Sequence, residues 1–107
     1  MNDTKTLKYK VTLFAPIGDK NGELAVRIVG EQVEGELIVM HNHNYFCGSI
    51  RNDGSCEISG NIKTLSENVE YTASGYIRPQ AVTLVLYAGG KKLLVTGEAI
   101  NEGGNDS

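Results

Sequence analysis

The chain contains 107 residues, of which 10 are Lys or Arg and 13 are Asp or Glu, so its formal net charge is −3. This length corresponds to one small domain. An apolar fraction of 40% is enough to form a hydrophobic core and argues against intrinsic disorder. Net acidity disfavours nucleic acid and anionic membranes, because both attract clustered Lys and Arg. We therefore expect neither of them as a partner.

Three features of the sequence indicate where in the cell the protein is located. The start of the chain lacks the basic, apolar and small-residue layout of a secretory signal. No apolar run approaches the roughly 18 residues that a membrane-spanning helix needs. The two cysteines are too few for a disulfide scaffold. These features predict a cytoplasmic protein.

Apolar and polar residues alternate along most of the chain, which is the pattern of half-buried β-strands. The alternation begins near Leu7 and is still present at Ala99, and no segment has the period of an amphipathic helix. The pattern predicts an all-β chain of about eight strands. In chain order, their first inward residues are Leu7, Leu24, Val33, Phe46, Cys56, Tyr71, Val82 and Leu93.

Short turns connect consecutive strands as hairpins. Gly30-Glu31 and Gly89-Gly90 suit two-residue turns, Asn52-Asp53-Gly54 suits a three-residue loop, and Pro79-Gln80 closes a further hairpin. Each turn must place inward residues opposite inward residues. The resulting pairs are Ile28 with Val33, Ile50 with Cys56, Ile77 with Val82, and Leu86 with Leu93.

The connection between the third and fourth strands is predicted as a turn centred on Asn42-His43. That turn would pair Leu37 with Gly48 and Gly35 with Ile50. On the outer face it would place Glu34 opposite Arg51, as an exposed ion pair.

Glycine recurs at inward strand positions, as Gly-x-Leu or Gly-x-Ile and once as a shortened copy. Glycine inside a strand costs stability, so its repetition favours a tightly coiled sheet in which neighbouring side chains fill the gaps. We therefore expect an up-and-down antiparallel meander closed into a barrel, with residues 93–100 paired with residues 5–14. A two-sheet β-sandwich is the alternative. The glycines are Gly35, Gly48, Gly60, Gly75 and Gly97.

Several segments resemble one group of proteins. They are Tyr9-Lys10-Val11-Thr12-Leu13, Ala15-Pro16-Ile17-Gly18, Gly22-Glu23-Leu24, Gly30 and Gly35-Glu36-Leu37. Together they resemble small bacterial calycin-like, or lipocalin-like, β-barrel proteins, which carry a Thr-Pro-Met-Gly-like turn followed by Gly-x-Leu strands. The resemblance extends over residues 7–100 and implies a calycin-like barrel. It implies no catalytic residue.

Residues that could support chemistry are few. His41 and His43 lie two apart in a predicted exposed turn, without a Cys, Asp or Glu at ligand spacing, so we expect no metal. The aspartates fall in turns or tails and neither histidine faces inward, so we expect no enzymatic activity and no cofactor. Cys47 points outward and Cys56 inward, which predicts two free thiols.

Two faces of the predicted barrel could bind a partner. Inside, Tyr9 and Tyr71 are the only inward polar residues, and they would orient a small apolar ligand in the barrel. A solid core that binds nothing is the alternative. Outside, the segment from residue 81 to 88 is apolar on both faces, which predicts self-association. The predicted interface residues are Tyr76, Val85, Tyr87, Leu94 and Ile100.

The sequence thus predicts a flexible N-terminus at residues 1–5, a single β-barrel domain at 6–100 and a disordered acidic, Gly-rich tail at 101–107. The predicted function is a non-catalytic binding module for a small apolar ligand. The alternative is a homodimeric protein-interaction or regulatory module with a filled core and no ligand.

Overall fold

Eight β-strands form a closed antiparallel barrel in the computed structural model, which describes residues 4–15, 18–39, 41–63 and 68–100. Within these ranges, no helix is long and apolar enough to cross a membrane. The predicted tail at 101–107 and residues 1–3 lie outside the described residues, whereas Thr4 and Lys5 belong to the first strand. The strands are β1 (Thr4–Ala15), β2 (Gly18–Val29), β3 (Gln32–Val39), β4 (Asn42–Ile50), β5 (Ser55–Lys63), β6 (Asn68–Ile77), β7 (Ala81–Ala88) and β8 (Lys91–Ala99).

Each strand pairs with the next strand along the chain, and β8 returns to pair with β1. The closing ladder joins Tyr9 through Phe14 to Leu94 through Ala99. This confirms the predicted up-and-down meander and its closure, and it excludes the two-sheet sandwich. The architecture fits a calycin-like fold.

The register of the ladders determines the tilt of the strands. A path of directly opposed residues that starts at Thr4 and visits every strand returns to β1 at Phe14, ten positions further along. The rise along a strand is about 3.3 Å per residue, and neighbouring strands lie about 4.8 Å apart. In a barrel of eight strands, a stagger of this size therefore tilts the strands by about 40° from the barrel axis. An eight-stranded barrel of this tilt is narrow enough for side chains to fill. The intermediate residues are Val29, Gln32, Ser49, Glu57, Ser74, Val85 and Leu94.

Four of the predicted hairpin registers are confirmed. The register predicted between β3 and β4 is wrong, because Leu37 pairs with Asn44 and Gly35 pairs with Phe46. The turn lies between Val39 and Asn42, where His41 has φ of +66°. Positive φ favours Gly or Asn, so a histidine there gave no turn signal. The pairing is displaced by an even number of residues, so every side chain keeps its predicted face.

The corrected register also changes the partner of Glu34. Its direct neighbour on β4 is Cys47 rather than Arg51. The Glu34 carboxylate instead lies 2.7 Å from the guanidinium of Arg27 on β2, and both side chains are exposed. Exposed pairs of this kind contribute about 0–1 kcal/mol. The predicted Glu34–Arg51 pair was therefore wrong.

The core lies inside the barrel and, among the residues that the structure describes, contains 20 buried apolar residues from all eight strands. Tyr9, Leu24 and Leu86 are among its largest fully buried side chains. Cys56 is part of this core, Cys47 is exposed, and both thiols are free as predicted. The strands thus bury one face of the sheet continuously around the barrel.

Inward glycines occur where neighbouring backbones approach closely. A Cβ atom at Gly35 would overlap the carbonyl oxygen of Ala25 and lie 3.0 Å from Cζ of Phe46. On the other side of Phe46, a Cβ atom at Gly60 would lie 3.0 Å from its Cβ. Phe46 is opposite both glycines, so one large side chain fills the space that two glycines leave.

We expect Gly35→Ala to lower the free energy of unfolding by about 1–3 kcal/mol, because the added methyl group meets backbone that cannot retreat. Urea unfolding followed by circular dichroism measures the change. The control is Ser49→Ala at an exposed position of β4, which should leave the midpoint unchanged. Equal midpoints for the two variants would contradict this account of the inward glycines.

Asn44 is a buried polar residue that sequence reasoning missed. The residue is 4% exposed. It lies two residues before Phe46, which is the first β4 residue that is paired with β5. The side-chain amide group donates to the carbonyl oxygens of Leu37 at 3.0 Å and Asn42 at 3.2 Å. Its oxygen accepts from the backbone N–H of Lys63 at 2.8 Å. Asn44 therefore links β3, β4 and β5 where the β4–β5 ladder ends.

Asn44→Ala should cost about 2–3 kcal/mol of unfolding free energy, since three hydrogen bonds are lost and buried backbone groups lose their partners. Chemical denaturation provides the measurement. Asn61→Ala, at an exposed position of β5, is the matched control and should be neutral. A loss below about 0.5 kcal/mol for Asn44→Ala would exclude this bridging role.

Candidate functional site

One end of the barrel, which we call the mouth, carries a cavity of about 480 Å³. It is surrounded by the β2–β3, β4–β5 and β6–β7 connections and by the start of β1. Its wall is apolar and consists of the inward side chains of Leu7, Ile28, Ile50 and Ile77. Its rim carries three cations, which are Lys5, Arg51 and Arg78.

The apolar wall of the mouth continues the core. Ile50 and Ile77 are buried, and Leu7 and Ile28 are partly buried and pack against the core residues. Leu7 and Ile28 keep part of their surface exposed near the ends of their strands. These two residues thus offer apolar surface to a ligand at this end, next to the buried core.

Gly54 ties the β4–β5 turn to β6. It adopts φ of +92°, and a Cβ atom there would lie 2.9 Å from both Cγ of Arg78 and the carbonyl oxygen of Ile77. Its N–H donates to the carbonyl of Arg51 at 2.9 Å, and its carbonyl accepts from the N–H of Ile77 at 2.8 Å. The absence of a side chain at Gly54 thus allows the turn to lie against the Arg78 stem.

Asp53 supplies the negative charge of the mouth, and its carboxylate is engaged within its own turn. It accepts from the backbone N–H of Ser55 at 2.9 Å and from the Ser55 hydroxyl at 2.7 Å. These hydrogen bonds, with a smaller contribution from the nearby charge of Arg78, hold the pKa of the Asp53 carboxyl below its usual range. The carboxylate therefore remains ionised at neutral pH.

Tyr9 lies in the core and forms a hydrogen bond to the backbone at the mouth. Its hydroxyl donates to the carbonyl oxygen of Arg78 at 2.5 Å, across a sequence separation of 69 residues. Burial raises the pKa of Tyr9 to about 12, so the hydroxyl keeps its proton at neutral pH. The hydroxyl that was predicted to orient a ligand is thus bonded to the backbone that begins the β6–β7 turn.

Tyr71 lies in the other half of β6, six residues before Ile77. It is buried, and burial raises the pKa of its hydroxyl to about 12. Neither Tyr9 nor Tyr71 lines any of five well-defined cavities among the described residues. The structure therefore does not bring the two tyrosines together in one of these cavities, and their contact with a ligand stays a prediction. Asn44 is a third inward polar residue, so the expectation of only two was wrong.

The outer residues predicted to mediate self-association lie on β6, β7 and β8 and just after β8. Val85 is opposite Leu94 as expected, and closure of the barrel places Leu94 opposite Phe14 of β1. Phe14 is 40% exposed and Leu94 is 39% exposed. Phe14 alternates with an inward Leu13, which signals its outward direction, but only closure reveals its neighbours. Tyr76 and Tyr87 are also exposed, and the N–H of Ile100 donates to the carbonyl of Lys8.

A depression of about 690 Å³ lies on the outer wall formed by β1 to β5. Its charged groups are already paired, with Arg27 bound to Glu34 and Glu36 bound to Nδ1 of His43 at 2.8 Å. Paired charges offer a ligand little orientation, so this depression is a weaker candidate than the mouth. Both His41 and His43 are exposed, and the described residues contain no group of three or more His, Cys, Asp or Glu that could hold a metal ion.

Searches against protein-family models, curated proteins and solved structures find no match to this chain. The function must therefore be argued from the mouth and the outer face themselves.

Stability should fall as pH rises from about 10 to about 12. Exposed tyrosine in the unfolded chain ionises near pH 10, whereas the pKa of folded Tyr9 and of folded Tyr71 is about 12. In this window the unfolded state binds fewer protons, so higher pH favours unfolding. Urea unfolding at pH 8, 10 and 11 measures the slope. Tyr71→Phe should flatten it, and Tyr45→Phe, which alters a side chain that is 71% exposed, should not. If Tyr71→Phe left the dependence of stability on pH unchanged, the raised pKa of Tyr71 would be contradicted.

Proposed function

We propose that the protein is a non-catalytic binding module of calycin-like type, which takes a small apolar ligand at the mouth of the barrel. The observation that carries the proposal is the continuity between the core and an open apolar wall at this end. The cavity volume of about 480 Å³ lies within the range of small-molecule sites. The site proposed here lies above Tyr9 rather than around both tyrosines.

The chemistry of the mouth supports binding rather than catalysis. Its described lining residues include Asp53, whose carboxylate is held by Ser55, and no Ser, Thr, Cys or His. A nucleophile with an adjacent base is the usual requirement for covalent catalysis. We also propose a cytoplasmic location, since free thiols such as Cys47 and Cys56 persist in reducing compartments.

Self-association through the outer face is the second candidate function. It is favoured by the row of apolar residues that crosses β1, β8 and β7, which is Phe14, Leu94 and Val85. Apolar groups that lie side by side on an exposed wall favour contact with another surface. In this alternative the protein acts as a dimeric interaction or regulatory module.

We expect 1-octanol to bind at the mouth and to shift the backbone NMR signals of residues around Ile28, Ile50 and Ile77. Ile28→Thr should weaken binding about fivefold, because about 1 kcal/mol of apolar contact is lost. The matched control is Val85→Thr, another partly buried β-branched residue, but on the outer wall. Shifts confined to the outer wall, or no shifts up to saturating octanol, would overturn the proposed site.

A further inference from the structure

Charge at the rim of the mouth has the opposite sign to the charge of the chain. Three cations, Lys5, Arg51 and Arg78, and one carboxylate, Asp53, line the cavity. The whole chain has a formal net charge of −3. A cluster of cations around an opening of low polarity creates a positive potential there, and this potential attracts anions.

The single carboxylate does not neutralise these cations by direct pairing. Asp53 accepts both hydrogen bonds from Ser55 described above, and none of the described ion pairs joins it to Lys5, Arg51 or Arg78. Arg78 is nevertheless near enough to lower the pKa of Asp53 slightly. The rim therefore keeps an excess of positive charge with Asp53 ionised.

Arg78 has a fixed orientation and free donors. Its guanidinium carbon lies 4.3 Å from the centre of the Tyr76 ring, and its Nε–H donates to the carbonyl of Asp53 at 3.3 Å. These two contacts hold the plane of the group. Within the described residues, its two terminal nitrogens form no hydrogen bond. A planar group with a free edge is the geometry that binds a carboxylate through two parallel hydrogen bonds.

Arg51 and Lys5 add further donors around the same cavity. Nη1 of Arg51 makes one long contact of 3.5 Å with the Ser55 hydroxyl, and the remaining guanidinium donors have no partner among the described residues. Lys5 lies on β1, where the N-terminal part of the strand passes the opening. All three cations thus line the same cavity as the apolar wall, a combination suited to a molecule with a charged head and an apolar tail.

We propose that the ligand of the mouth is an apolar carboxylate, whose anionic head binds Arg78 and Arg51 and whose tail contacts Ile28, Ile50 and Ile77. This inference rests on the proposed function, because it concerns the same cavity, and it adds the chemical class of the ligand.

Three probes with the same eight-carbon chain test the inference: octanoate, 1-octanol and octylammonium. Each is titrated into the isotopically labelled protein at pH 7.5 and low salt, below its micelle concentration, and binding is followed by backbone NMR shifts. We expect octanoate to bind at least tenfold more tightly than octanol, and octylammonium to bind more weakly than octanol. Raising the salt concentration should weaken the binding of octanoate and leave octanol unchanged.

Single substitutions test which side chains bind the carboxylate of octanoate. Arg78→Gln should lower the affinity for octanoate toward that for octanol, with Arg51 still present. Arg78→Lys should lower it less, because lysine keeps the positive charge but lacks the two parallel donors of a guanidinium. Arg51→Gln provides a second test if Arg78→Gln does not fold. Lys91→Gln, at the start of β8 and at the opposite end of the barrel, removes one positive charge elsewhere and should have no effect.

The outcomes separate the two proposals. Equal affinities for octanoate and octanol at the mouth would overturn the anionic ligand and leave the apolar site in place. An octanoate affinity that Arg78→Gln and Arg51→Gln leave unchanged would also overturn it, as would octanoate shifts located at Lys91 and Lys92. Failure of all three probes to shift signals of the mouth would overturn both proposals.

Discussion

Pairing of β1 with β8 is the constraint on which the rest of the structure depends. Once the sheet is closed with a stagger of ten residues, the interior has one fixed width. At some positions a large inward side chain then lies opposite a glycine. Phe46 between Gly35 and Gly60 is the clearest case, because its ring and Cβ occupy the space on both sides. The inward glycines thus allow the neighbouring backbones of the closed barrel to approach closely.

Much of the fold could be predicted from the sequence because the side-chain period of a strand depends only on local alternation. Inward and outward positions follow from it, and short turns with Gly residues fix most registers. The β3–β4 register could not be predicted in this way, because His41 takes a positive φ that is uncommon for residues other than glycine. Asn44 was missed for a related reason. Its burial depends on hydrogen bonds to Leu37 and Lys63, which lie on two other strands.

The candidate site was less accessible to sequence reasoning than the fold. Lys5, Arg51 and Arg78 belong to three separate segments, and only the closed barrel brings them around one opening. Alternation predicted that Tyr9 faces inward. It gave no indication that the Tyr9 hydroxyl donates a hydrogen bond to the carbonyl oxygen of Arg78. A tyrosine that seemed available to a ligand is instead part of the support beneath the site. Local patterns predict direction, whereas distant partners decide what a polar group can bind.

The closing ladder also determines when the protein can fold during its synthesis. Of the eight strands, β1 leaves the ribosome first, yet the residues that pair with its second edge, from Leu94 to Ala99, belong to the strand that is made last of the eight. Until then the nascent chain has two open strand edges, on β1 and on the latest strand made, and both can pair with other chains. The last strand therefore completes the barrel and at the same time removes the edges through which an unfinished chain would aggregate.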